Sequence, residues 1–224
     1  MSAVADGLAR VRERVARAAV LASRDPSTVR LVAVSKTKPS EAIREAYAAG
    51  QRDFGENYAQ ELAEKADALA DLPDLSWHFI GHLQSNKAKL VAPRAHLIHA
   101  VDSVSLAREL AKRAAGRELS VLVEVNVGGE AQKHGVAPSE LNALLDAVSG
   151  VPGLSLRGLM TMPPHDLDAA RRAFEGLAEL REKHGGAGRL PELSMGMSDD
   201  LEVAIACGAT IVRVGTAIFG GRSP

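Results

Sequence analysis

Cysteine is almost missing from this sequence: Cys207 stands alone, so no internal disulfide can form and a reducing compartment, the cytoplasm, is expected. Aromatic residues are also scarce, at 3%, and charge of either sign is balanced, with 27 Lys+Arg against 28 Asp+Glu. Neither a basic stripe nor a set of stacking platforms can be built from that composition, which excludes nucleic acid as a partner class. No apolar run approaches the ~18 residues that a membrane span requires, so no membrane partner is expected either. Nor does any Pro/Gly/Ser-rich or like-charged stretch divide the chain, and a single domain is expected over residues 1–224.

What is present is a regular alternation. The opening "MSAVADGLARVRERVARAAVLASR" looks Arg-rich enough for a transit peptide, but Asp6 and Glu13 interrupt it and no cleavable-looking end follows. Leu8, Val11, Val15, Ala18 and Ala22 recur at three- and four-residue spacing, the pattern of a helix with one buried stripe. From Leu31 onward eight short strand-like runs follow: "LVAVS" (31–35), "RDFGE" (52–56), "WHFIG" (77–81), "LIHAV" (97–101), "LSVLVEVNV" (119–127), "LSLRGLM" (154–160), "ELSMG" (192–196) and "TIVRVG" (210–215). Between them lie helical patterns such as "SEAIREAYAAG" and "DLDAARRAFEGLAELREKHG", several closed by glycine. Eight strands with helical crossovers predict an α/β fold, a closed (β/α)8 TIM barrel with an extra N-terminal helix that plugs or flanks it.

In such barrels the site lies at the C-terminal ends of the strands. After the first run comes Lys36; after the second, Glu56 and Asn57; after the third, His82, Gln84, Ser85 and Asn86; after the fifth, Asn126, Glu130 and Lys133. The loops after the seventh and eighth runs, "SMGMSDD" and "RVGTAIFGG", hold Gly196 and Gly215 where backbone could approach a phosphate, with Ser198 and Thr216 adding hydroxyls. Ser198 could equally cap the helix "DDLEVAIACG", with Asp199 and Asp200 complementing its dipole. Lys36 has two readings as well. It either reaches solvent or, partly desolvated behind "LVAV", offers a neutral amine that attacks an aldehyde. A lysine, a phosphate loop and a barrel together suit a Schiff base with a phosphorylated carbonyl compound, pyridoxal 5'-phosphate (PLP) or a sugar phosphate. Strand alternation leaves Arg213 pointing either into the barrel, where it needs a partner, or out to the helices.

The motifs "AVSKTKP", "FGENYAQEL", "WHFIGHLQSNK", "NVGGEAQKHG", "GLMTMP" and "LSMGMSDDLEVAIACGATIVRVGTAIFG" are similar, in order and along nearly the whole chain, to the pyridoxal phosphate homeostasis protein family. That resemblance implies the barrel of the N-terminal domain of alanine racemase, with PLP held as a Schiff base on Lys36. It further implies a phosphate held by Ser198, Gly215 and Thr216, Arg213 facing the pyridine nitrogen, Asn57 near the ring, and Met197 and His78 shaping the pocket.

An arginine beside the ring nitrogen leaves the pyridine unprotonated and a weak electron sink. Racemases that resemble this arrangement add a second domain and a tyrosine base, whereas this chain ends at Pro224 after the eighth run, and Tyr47 and Tyr58 are expected to pack. The expectation is therefore a non-catalytic carrier that stores PLP and delivers it to apo PLP-dependent enzymes, with Lys133 a candidate for assisting transfer. A small racemase-like enzyme is the alternative, and a Schiff-base aldolase a more remote one. His78 and His82 lie on a strand and its exit with no third ligand nearby, so no metal is expected. Without the racemase's second domain, a monomer is expected.

Overall fold

The computed structural model describes residues 2–130 and 133–221. Eight parallel strands close into a barrel in simple sequential order: β1 (Arg30–Val34), β2 (Asp53–Glu56), β3 (Ser76–Phe79), β4 (Leu97–Val101), β5 (Leu119–Glu124), β6 (Leu154–Met160), β7 (Glu192–Ser194) and β8 (Ile211–Val214). Each of the eight runs read from the sequence overlaps one of these strands, with β1 and β3 each beginning one residue earlier than read. β8 returns to β1 with Arg30 opposite Ile211 and Val32 opposite Arg213, which shuts the ring. The helices that cover it are α2 (Ser40–Ala48), α3 (Ala59–Ala68), α4 (Ala88–Val91), α5 (Val104–Arg113), α6 (Leu141–Ser149), α7 (Leu167–Lys183), α8 (Gly186–Arg189), α9 (Leu201–Ala206) and α10 (Thr216–Phe219); α1 (Ala3–Leu21) precedes β1. Among the described residues no helix is long and apolar enough to cross a membrane.

Alternation along the strands divides the core in two. Outward residues such as Ala33, Phe54, Trp77, Phe79, Val121, Leu193 and Val212 pack beneath the helices. Inward residues Val32, Leu97, Ala100, Leu122, Met160 and Ile211 form a separate apolar layer inside the barrel. The β4–β5 register shifts between Ile98 and Val101. Across that irregularity His99 bonds to His78 within the barrel while its neighbour Ala100 joins the interior layer.

α1 flanks the barrel. Ser2 accepts from the Ala5 N–H to start it, and its buried stripe, including Leu8, Val11, Val15 and Ala18, is the one the spacing predicts. The helix packs against α9, α10 and α2. It approaches α10 so closely that a Cβ on Gly7 would stand 2.6 Å from the Ile218 carbonyl oxygen. Arg14 continues this brace, donating to the Ser198 carbonyl at 2.9 Å and forming a paired hydrogen bond with Glu202 at 2.8 and 3.0 Å. The first helix therefore steadies the two loops that follow β7 and β8. Gly7→Ala should push α1 and α10 apart and destabilise the protein by about 1–3 kcal/mol, read as a lower urea midpoint; an unchanged midpoint would show that the contact is slack.

Candidate functional site

A cleft of about 280 Å3 opens at the C-terminal end of the barrel, lined by Val34, Lys36, Asn57, Ile80, Met162, His165, Met197, Ser198, Asp199, Arg213, Gly215 and Thr216. A hollow of about 210 Å3 adjoins it, sharing Val34, Lys36, Gly215 and Thr216 and adding Lys38. The fold thus gathers Lys36, Asn57, Met197, Ser198, Arg213, Gly215 and Thr216 from four different strand ends. His78 is not among them. It lies one layer down, buried inside the barrel between His99 and Asp53, and faces a second hollow at the opposite end.

The turn carrying Lys36 is pinned from behind. Glu56 points outward beneath α3, fully buried, where it accepts from Lys65 Nζ at 2.8 Å and from Ser35 Oγ at 2.6 Å. Lys65 Nζ also donates to the Ser35 carbonyl at 2.6 Å and to Glu61 at 2.7 Å, and Glu61 in turn accepts from the Thr37 N–H at 2.5 Å. Both residues flanking Lys36 are therefore fixed through one ammonium, which holds Thr37 in the left-handed region at φ 62°. Burial pushes the Glu56 carboxyl up, and Lys65 and Ser35 pull it back. Glu56 appears in the sequence as one more polar strand-end residue. Lys65 gives no sign of this role beyond its place on the helix that follows.

Arg213 points inward and is buried. It donates to Ser194 Oγ at 2.6 Å, to the Thr161 carbonyl at 3.0 Å and to Met162 Sδ at 3.1 Å. Three of its five N–H groups are used in this way. Burial lowers its pKa to about 10, with Glu124 and Asp200 opposing that shift, so it keeps its charge at neutral pH. Glu124, inward at the end of β5, is pushed up to about 7 by burial and then by Asp102, against the pull of Arg213.

The two phosphate-type loops are built differently from a simple helix cap. α9 begins after Asp200, whose carboxylate accepts from the Met197 N–H at 2.5 Å and closes its own loop; Ser198 makes no capping bond. Asp200 is thereby withdrawn, while Asp199 stays at the cleft. Gly196 adopts φ +92°, with its absent Cβ only 2.5 Å from Ala204 Cβ, and a Cβ on Gly215 would meet the Val34 carbonyl at 3.1 Å. Chain packing requires both glycines, whatever anion approaches them.

Outside the cleft, Tyr47 donates to Asp74 under the Arg52 guanidinium, and Tyr58 is 53% exposed where packing was expected. Gln84, Ser85 and Asn86 are exposed. Lys133 pairs with Glu130 at 2.5 Å and reaches the Met162 carbonyl at 3.4 Å, beside the cleft. Ala131 and Gln132 of the same motif lie outside the described residues. On the β3–β5 side, His82 stacks on His134 at 3.7 Å with Asp102 3.5 Å from His82, so loops supply the third ligand-type residue that local sequence lacks. The two rings are within 8° of parallel. One ligand-type atom from each of the three residues lies within 4.8 Å of the others.

The family described as alanine racemase, N-terminal domain, matches residues 7–223. The pyridoxal phosphate homeostasis protein of Pseudomonas aeruginosa is 52% identical, over 99% of this chain and 97% of its own. The chain belongs to the pyridoxal phosphate homeostasis protein family. Its Escherichia coli member is 44% identical over 99% of this chain and 98% of its own. Among solved structures, PipY of Synechococcus elongatus with PLP bound superposes with a TM-score of 0.80 at 41% identity, covering 97% of this chain and all of that one (100%).

Two expectations follow from the geometry. Lys65→Met leaves Glu56 buried with only a hydroxyl partner and should cost roughly 3 kcal/mol at pH 8, less in acid where Glu56 protonates. Adding Glu56→Gln should recover most of the loss in denaturant titrations. For Glu124 the folded state binds the proton more tightly than the unfolded state. Its contribution is therefore complete below the ordinary glutamate value of 4.5 and is lost as pH rises through about 7, by about 3 kcal/mol in all. The stability difference between wild type and Glu124→Gln should fall by that amount across this window, and a flat difference would contradict it.

Proposed function

We infer that this chain holds pyridoxal 5'-phosphate on Lys36 as a single-domain carrier that stores the cofactor and delivers it to apo PLP-dependent enzymes, with no or negligible catalysis of its own. The observation that carries the reading is the content of one cleft. An amine, a guanidinium, two hydroxyls and the buried Asn57 Oδ1, which has no hydrogen-bond partner among the described residues, line the same space. That donor set fits the group: the amine suits an aldehyde, the hydroxyls of Ser198 and Thr216 suit a phosphate, and Arg213 suits a pyridine nitrogen. The names borne by the relatives and the PLP in PipY support the same assignment.

When bound, PLP supplies an aldehyde that bonds reversibly to an amine and a pyridine ring that stabilises carbanions when its nitrogen is protonated. Lys36 supplies the amine, from a turn that Lys65 and Glu56 hold in place. Arg213 stays protonated at neutral pH and donates a hydrogen bond, so it does not hand the ring nitrogen a full proton. Neither tyrosine lines the cleft to move a proton at a substrate's Cα. Those properties favour retention over turnover, and they favour the carrier over the racemase-like alternative. Asp199 at the cleft opposes an over-tight grip on phosphate, which suits a protein that must release its ligand. The carrier acts as a monomer in this reading, and Lys133 stands at the rim where an incoming or outgoing aldehyde passes.

The test is the visible spectrum of protein loaded with PLP and desalted, followed by borohydride reduction and peptide mapping. Wild type should retain a visible band and the reduced adduct on Lys36, Lys36→Ala should retain neither, and labelled amino acids should keep their Cα deuterium. Wild type that retains no band would reject the reading, and Lys36-dependent deuterium loss would favour the enzyme.

A further inference from the structure

Beneath the cleft, five side chains join into one column that runs the length of the barrel. Arg213 meets Ser194 Oγ at 2.6 Å, Ser194 Oγ meets His99 Nδ1 at 2.8 Å, His99 Nε2 meets His78 Nδ1 at 2.9 Å, and His78 Nε2 meets Asp53 Oδ1 at 3.0 Å. Ser194, His99 and His78 are buried; Arg213 borders the cleft at one end, and the column emerges at the other at Asp53 and the second hollow, of about 270 Å3.

The guanidinium fixes the direction of the first bond, and one assignment of the others gives every member both a donor and an acceptor. A guanidinium can only donate, so Ser194 Oγ accepts from Arg213, and in this assignment it sends its own proton to His99 Nδ1. His99 must then carry its proton on Nε2 and donate to His78 Nδ1, and His78 carries its own on Nε2 and donates to Asp53. All donors point away from the cleft. Both imidazoles are neutral in this arrangement, and burial holds His99 well below its ordinary pKa. A proton added to His78 would reverse the bond to His99, put a second donor on Ser194 Oγ, and turn the hydroxyl proton out of the column.

We propose that His99, acting through Ser194, is a positioning residue for the cofactor: it fixes the hydroxyl so that Arg213 is held as a donor toward the cleft and the ring nitrogen stays unprotonated. This rests on the PLP reading above. The column also ties the state of Arg213 to the far end of the barrel. Arg30 from β1, Asp53 from β2 and His96 before β4 face its lower end, where Arg157 from β6 and Glu192 from β7 line the hollow. Glu124 and Asp200 act on Arg213 above.

Two substitutions of His99 separate positioning from packing. His99→Asn keeps an acceptor that can stand near the position of Nδ1, so Ser194 retains its orientation even though the link to His78 is cut. His99→Leu fills space but accepts nothing. Each full-length protein is loaded with PLP and desalted, then followed for cofactor loss and for the ratio of its visible bands from pH 6 to 9, within the range set by reference titrations. Wild type and His99→Asn should give a flat band ratio and slow loss. His99→Leu should show a ratio that titrates and a loss at least about tenfold faster, the scale of a weakened charge-assisted hydrogen bond. Should His99→Leu not fold, Ser194→Ala removes the hydroxyl through which His99 acts on Arg213, with little change of volume, and carries the same expectation. If the Leu or Ala variant matches wild type in both measurements, or if Asn and Leu are equally impaired, the inference is overturned. Wild type that binds no PLP would remove the carrier reading and this one together, and is distinguished by failing before any variant is compared.

Discussion

Eight strands closed into a ring enclose a space that side chains alone must fill, and any polar group put there must find its partner there. This protein puts an arginine and two histidines inside. The apolar layer of Val32, Leu97, Ala100, Leu122, Met160 and Ile211 cannot satisfy them, so they satisfy one another through Ser194 and end on Asp53. Burying Arg213 is tolerable because Ser194 and the Thr161 carbonyl receive it and because Glu124 and Asp200 lie within electrostatic reach.

The same logic holds at the rim, where residues that line the cleft are steadied by residues that do not. Lys65 and Glu56 fix the Lys36 turn from the helix layer, Ser194 fixes Arg213 from below, and Arg14 holds the Ser198 carbonyl from α1. Such support keeps a site in one geometry without crowding the space a ligand needs.

The architecture was legible because most strands are short β-branched or aromatic runs followed by a helical period, and tertiary structure had only to adjust the ends. Even Asp53–Glu56 and Glu192–Ser194, poor in apolar residues, take their places because a closed ring needs them between stronger neighbours. The cleft was largely legible too, since strand ends in a barrel converge whatever their distance in sequence. Orientation was not. Arg213 had two possible phases, and only its register against Val32 decides between them. His78 lies inside β3 and not at its exit, a difference of one layer that moves it from the mouth to the column. Glu56 and Lys65 read as ordinary charges because burial beneath a helix leaves no local pattern. The convergence of His82, Asp102 and His134 from three loops left no pattern either.

The docking of α1 bears on the order in which the molecule is made. The first helix of the chain rests on α9 and α10, which flank the last strand, so Gly7 and Arg14 wait for partners about two hundred positions away. Contacts of such separation form late, because a long loop must close before they return any energy. The cleft is therefore the last region to be assembled during synthesis. A nascent chain whose ring is still open has no complete site with which to capture a reactive aldehyde.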